Sequence, residues 1–259
     1  MKEETAIKSL LPKEAKKGVN KNIKTLVLFG MPKVGKTTSL AKLKNCLIID
    51  TEKGTDFIEG AFVVNVPDEG PLAKWRFLKD LAEEIKSQNY PYDYVVIDTF
   101  SELDEISEWV GTANYMMSPQ GKRFNRESDE VTIIKKGDPR FESVHSIGQG
   151  YGYKYSREAI LDMFDTLKNL GKICTIFVCH VTDKTIAVNG SSVVNGKDLA
   201  LTGKVKDIIP RKVDAVACMY QENNELKISF VGSEHKVGGV RVKHLTGYEG
   251  PLDWEKIFI

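Results

Sequence analysis

The sequence has little of what an exported or membrane-spanning protein needs. Cys46, Cys174, Cys179 and Cys218 are its only cysteines in 259 residues, none forms a CxxC pair, and all lie in apolar runs. That usage points to buried free thiols in a reducing compartment rather than to disulfides or a metal site. No apolar run approaches the ~18 residues of a membrane span, and MKEETAIKSLLPKEAKK lacks the apolar centre of a signal peptide. A cytoplasmic protein with no membrane contact is expected. An excess of either charge is missing too: 37 Lys+Arg stand against 36 Asp+Glu, a net charge of +1. This excludes a uniformly basic coat for nucleic acid and leaves only local patches. Arginines are few and no two are adjacent, which argues against the arginine-rich lid of a small-molecule kinase.

The 41% of hydrophobic residues and 28% of charged ones suit a globular chain. At this length roughly 70–75% of the unfolded surface can be buried, so the core needs no covalent staples. Residues 1–22 read as a basic, partly ordered arm, 23–235 as the core, and 236–259 as a carboxyl-terminal extension. TLVLF (25–29), CLIID (46–50), AFVVNV (61–66), YVVID (94–98), KICTIFVCHV, DAVACMY and LKISFV read as strands. Between them, helical spacing predicts helices over 37–44, 71–88, from Ser101 onward, and over 156–170 with Gly171 as a stop. Residues 118–150 read as irregular. Alternating strands and helices, with strands apolar on both faces, predict an α/β fold: a mainly parallel sheet flanked by helices, with antiparallel strands at its carboxyl-terminal edge.

Gly30, Met31, Pro32, Lys33, Val34, Gly35, Lys36, Thr37 and Thr38 span GxxxxGK[ST] and the residue after it, placed between a strand and a helix. Such a turn aims backbone N–H groups at phosphate oxygens. Lys36, expected on an exposed turn, adds a point charge, and Thr37 offers a hard oxygen to Mg²⁺. These are the candidate contacts to ATP. Asp98, at the end of YVVID on an expected neighbouring strand, is the second magnesium-side oxygen, the competing reading being a helix cap. Glu52 follows the second strand, where a carboxylate can reach a water lined up on the γ-phosphate, while Asp50 reads as a loop cap. His180 ends the strand that begins at Ile173, a position that faces the nucleotide in such sheets.

FGMPKVGKTT, IIDTEKG, YVVIDTFSEL, the GQGYGYKYSREAILDMFDTLKNLGK block, IFVCHVTD and IIPRKVDAVACMY together resemble the RecA-like P-loop ATPases over about residues 23–232. More narrowly they resemble the single-domain RecA-like proteins of phages, which include single-strand annealing proteins. The resemblance implies Mg²⁺-dependent ATP hydrolysis, with Lys36, Glu52, Asp98 and His180 as catalytic residues. It places Glu52 behind the attacking water and His180 on the γ-phosphate. It also implies a phage-infected or prokaryotic host, self-association into a ring or filament, and a basic residue acting across the subunit boundary. Lys236, Arg241, Lys243, Arg211 and Lys212 are the candidates.

Single-stranded DNA is the implied partner. Lys184, Lys197, Lys204, Lys206, Arg211 and Lys212 crowd residues 184–212, where TIAV-Asn189-Gly190-SSVV reads as a hairpin. Lys122, Arg123, Arg126, Lys135, Lys136 and Arg140 alternate with aromatic residues over 120–155, a pattern that fits stacking on a single strand, with an ordinary long loop as the other reading. The chain lacks the helix-rich amino-terminal domain of full recombinases, so annealing is expected rather than strand exchange. A P-loop kinase and a nucleotide-switch adaptor, such as a helicase loader, are the alternative functions.

Overall fold

Eight strands hydrogen-bond side by side, in an order that leaves the first strand between two that are far from it in sequence. A computed structural model describes residues 18, 21–124, 143–147, 150–188 and 191–259. The strands are β1 (Thr25–Phe29), β2 (Cys46–Asp50), β3 (Phe62–Asn65), β4 (Tyr94–Asp98), β5 (Cys174–Cys179), the hairpin β6 (Val181–Val188) and β7 (Ser191–Leu199), β8 (Ala215–Glu222), β9 (Glu225–Ser229), β10 (Gly239–Val240) and β11 (Glu249–Pro251). The main sheet runs β3-β2-β4-β5-β1-β8-β9-β11, parallel from β3 to β8 and antiparallel beyond, with β10 antiparallel to β8. The expected fold class is what forms. Residues 236–259, expected as an extension, supply β10, β11 and α7 (Trp254–Ile257) to this same unit. Of the expected arm, only Gly18, Lys21 and Asn22 are among the described residues.

Every residue of β1, β2, β4 and β5 is buried, because helices cover both faces of the sheet. Side chains alternate between the faces. Val27, Phe29, Leu47, Ile49, Val95 and Ile97 meet α2 (Pro71–Ser87), α3 (Phe100–Met117) and α5 (Tyr153–Leu167). Leu26, Leu28, Ile48, Val96 and Ile176 join Leu40 and the carboxyl-terminal Ile257 on the other face. Tight packing also explains α2, whose Trp75, Leu78, Ala82 and Ile85 fall on one face behind a proline in its first turn. Cys46, Cys174 and Cys179 are buried free thiols, and burial pushes the Cys46 thiol up to about 12. No helix among the described residues is long and apolar enough to cross a membrane.

Several boundaries differ from those the spacing predicts. The helix expected over 37–44 is α1 (Lys36–Leu40) alone; tighter turns follow, and Asn45 at φ 53° redirects the chain into β2. The helix expected over 156–170 runs three residues earlier, and Asn169 at φ 67° supplies the left-handed turn assigned to Gly171. Gly171 serves close approach instead, since a Cβ there would lie 2.2 Å from the Cys174 carbonyl oxygen. Within 118–150, read as irregular, α4 (Pro119–Phe124) and a helical turn at Val144–Ser146 occur. The third strand is the partly exposed edge β3, shorter than AFVVNV.

Candidate active site

Parallel register determines which residues can meet at the carboxyl ends of the strands. Phe29 pairs with Cys179, Val178 with Asp98, and Asp98 with Asp50. The chain therefore leaves β1, β5, β4 and β2 at nearly one level, and Gly30, His180, Thr99 and Thr51 follow side by side. Asp98 is not on the strand next to β1, as expected: β5 lies between them. That interposition brings His180 between the P-loop and the end of β4.

The P-loop needs its glycines for two distinct reasons. A Cβ on Gly30 would lie 2.3 Å from the Met219 carbonyl oxygen of β8, so that strand can approach only a glycine. Gly35 has φ 97°, and Lys33 also takes positive φ at 61°. The expected exposed position of Lys36 is overturned, for its residue is only 7% exposed. Its ammonium donates to the Gly30 and Met31 carbonyls at 2.9 and 3.0 Å. Burial lowers its pKa, and the nearby Asp98 and Glu52 charges oppose that shift.

Thr37 Oγ1 donates to Asp98 Oδ2 at 2.6 Å. Burial raises the Asp98 pKa, with the Thr37 hydrogen bond as the largest opposing effect. Asp98 is free of the capping role that competed for it, because Thr99 caps α3 by accepting from Glu102 N–H. A hydroxyl and a carboxylate in contact are hard-oxygen donors that fit Mg²⁺, which keeps waters and phosphate oxygens for its other positions. No cluster of three or more His, Cys, Asp or Glu among the described residues offers a fuller cage.

Glu52 Oε1 receives two donors: Thr99 Oγ1 at 2.6 Å and His180 at 2.8 Å from Nε2. The His180 backbone N–H is held by Ser101 Oγ at 3.0 Å, and its Nδ1 is buried without a partner. Asp50 is a loop cap, as its position suggests. Its Oδ1 accepts from Glu52 N–H, and its Oδ2 accepts from the Thr55 N–H and hydroxyl. All four expected catalytic residues, with the P-loop, thus meet at one end of the sheet. Thr51 and Thr99 escaped sequence reasoning, although Thr99-Phe-Ser-Glu102 is a helix-start pattern that could have marked the cap.

The basic segments fare differently. Lys184 donates to the Glu234 carbonyl, while Lys197, Lys206 and Lys212 pair with Asp183, Asp198 and Asp165. Of the six cations expected over 184–212, Lys184 is held by a backbone carbonyl alone, and Lys204 and the Arg211 guanidinium have no partner among the described residues. Lys204 lines a cavity of about 330 Å³ with Arg157, Tyr153, Ser156, Thr202 and Asp104. Arg157, also without a side-chain partner among the described residues, was not singled out from sequence for this role. Tyr153 is 41% exposed and stacks on His145 at 4.2 Å, whereas Tyr155 packs against Tyr115. Arg126, Lys135, Lys136, Arg140, Asn189 and Gly190 lie outside the described residues. Among the candidates for action across a subunit boundary, Lys236 binds Ser229 and Glu249, and Arg241 binds Asp214.

Comparison with curated proteins finds no match. A family model described as an AAA domain matches residues 22–247, which hold the whole P-loop, the four strand ends and most of the sheet. The chain belongs to this AAA domain family of P-loop nucleoside triphosphatases.

Proposed function

We propose that the protein is a RecA-like, Mg²⁺-dependent ATPase that acts on single-stranded DNA in phage or prokaryotic recombination or replication, in the annealing manner. The observation that carries the ATPase reading is the row of Lys36, His180, Asp98 and Glu52 across four adjacent strand ends. Lys36 and the P-loop amides would cradle the β- and γ-phosphates, stabilising charge as the terminal bond loosens. Thr37 and Asp98 would hold Mg²⁺, which when bound neutralises charge on the phosphate oxygens. Glu52 is anchored through Oε1, and its Oε2, without a partner among the described residues, would orient water and take its proton. His180 would meet the γ-phosphate from the same anchor.

DNA binding is supported by Arg157 and Lys204, unpaired among the described residues, around one cavity that Tyr153 also lines. Two such cations and a stacking face suit a sugar–phosphate chain whose bases vary. The cavity adjoins the loop that follows the β6–β7 hairpin, and the hairpin begins one residue after His180. Assembly into a ring or filament belongs to the same reading, with Lys243 and the Arg211 side chain, unpaired among the described residues, as the basic groups offered to a neighbour.

ATP turnover measured with and without a single-stranded oligonucleotide tests the proposal. Turnover stimulated by the oligonucleotide and abolished by Lys36→Ala is expected. Turnover indifferent to DNA, together with absent DNA binding at low salt, would pass the P-loop to a nucleotide-switch adaptor or a kinase.

A further inference from the structure

The end of β4 carries two threonines' worth of hydrogen bonds that neither nucleotide nor metal requires. Thr51 N–H donates to the Asp98 carbonyl at 2.8 Å, as a continuation of the β2–β4 ladder. Beyond the ladder, Thr99 N–H donates to Thr51 Oγ1 at 2.8 Å, and the same hydroxyl donates back to the Thr99 carbonyl at 3.1 Å. This reciprocal pair clamps the start of the Glu52 loop to the strand end that bears Asp98. Thr99 then adds a side-chain bond from its own hydroxyl to Glu52 Oε1. Thr51 and Thr99 are each only 3% exposed, so solvent does not compete for these hydroxyls.

We infer that Thr99, backed by Thr51, is a positioning residue for the water-activating Glu52. The inference rests on the ATPase reading above and goes further by naming what aims the base. A carboxylate oxygen that accepts from two directions has little freedom to rotate, and both donors here choose Oε1. The second oxygen, Oε2, has no partner among the described residues and so is left to accept a proton. Without the Thr99 hydroxyl the carboxylate keeps only the His180 contact, from a side chain at the partly exposed mouth of the site. The base would then sample several orientations, and misplacement by even ~1 Å costs on the order of a hundredfold in rate. Nucleotide contacts made by the P-loop are unaffected, so the loss should fall on kcat.

The test compares Thr99→Val, Thr99→Ser, Glu52→Gln and the Thr99→Val/Glu52→Gln double variant in the full chain. Steady-state ATP turnover and the affinity for a fluorescent ATP analogue are measured for each. Thr99→Val should lower kcat roughly 10- to 100-fold with KM changed less than about threefold, and Thr99→Ser should restore most of it. The double variant should be no slower than Glu52→Gln alone, because a group that acts through Glu52 has nothing left to aim. Since Thr99→Val also removes a helix cap, melting temperatures are recorded, and Thr51→Val probes the clamp from the other side if Thr99→Val does not fold. Wild-type or faster turnover in folded Thr99→Val, with Glu52→Gln inactive, would overturn the inference while sparing the ATPase reading. Full activity in Glu52→Gln would instead remove Glu52 as the base, and the inference with it.

Discussion

His180 Nε2 lies 2.8 Å from Glu52 Oε1, across β4, although 128 residues separate them in the chain. The contact exists because β5 inserts beside β4 and ends level with it. It links the residue expected to touch the γ-phosphate with the residue expected to activate water. A shift of the imidazole toward a phosphate oxygen therefore alters one of the two anchors of the base.

His180→Ala should accordingly affect two processes at once. Turnover should fall by roughly 10-fold as Glu52 loses a donor, and the difference in DNA affinity between the ATP and ADP states should shrink. Fluorescence anisotropy of a labelled oligonucleotide with each nucleotide reads the second effect. An undiminished difference would place the coupling elsewhere than at the strand end from which the hairpin departs.

Asp50 tests whether the loop that carries Glu52 is held by its cap. Its buried carboxylate accepts three hydrogen bonds, two from backbone N–H groups, and among the described residues no cation pairs with it. Asp50→Ala leaves those donors without a partner and should destabilise the protein on the order of 3 kcal/mol. Urea unfolding should show the midpoint falling at constant slope. Asp50→Asn, which keeps the volume and one acceptor, should recover part of the loss. A midpoint unchanged by Asp50→Ala would mean that the cap contributes nothing.

Asp104 sets a pH dependence of stability. Its Oδ2 accepts from Thr202 N–H at 2.5 Å, whereas its Oδ1 is buried with no partner. Burial raises its pKa, and the Thr202 hydrogen bond only partly opposes that. The folded state then holds more protons than the unfolded state between the ordinary carboxyl value of 3.8 and the raised one. Stability from this group is greatest at the acid end of that window and falls as pH rises through it. Above that window the burial penalty is fully present, so there Asp104→Asn should melt higher by roughly 2–4 °C for each kcal/mol relieved. That advantage should fade as the pH is lowered toward 4. Melting curves of both proteins between pH 4 and 8 decide it; a difference that does not vary with pH would contradict the assignment.

Much of this was legible in the sequence because it depends on local chemistry. GxxxxGK[ST] between a strand and a helix states its own structure, and a strand ending in Asp98 or His180 declares which end of the sheet it serves. What was not legible depends on neighbours in space. Lys36 is buried where its ammonium turns back onto the Gly30 and Met31 carbonyls, and the Thr51–Thr99 clamp follows from β2 pairing with β4. The basic run over 184–212 misled in the opposite direction. Counting its lysines could not reveal that Asp183, Asp198 and Asp165 neutralise three of them, nor that Arg157, from a different segment, lines the same cavity as Lys204.

That last juxtaposition gives the sharpest test of DNA binding. If Arg157 and Lys204 contact phosphates, each neutralised phosphate releases counterions, and log K falls with log salt by about 0.7 per contact on a single strand. Arg157→Ala/Lys204→Ala should weaken oligonucleotide binding at low salt and make the salt slope shallower by roughly 1.4. The loss should be similar for different base sequences, since phosphate contacts carry no sequence information. Lys212→Ala is the matched control: that lysine pairs with Asp165 and also lies over the Phe164 ring, so it has no charge to spare. It should leave the slope where it is. Tyr153→Ala, by contrast, should lower affinity by about 1–3 kcal/mol without altering the slope, as expected for a stacking contact. A double variant with the wild-type slope, or a Lys212 variant that changes it as much, would detach the cavity from DNA and return attention to residues outside the described segments.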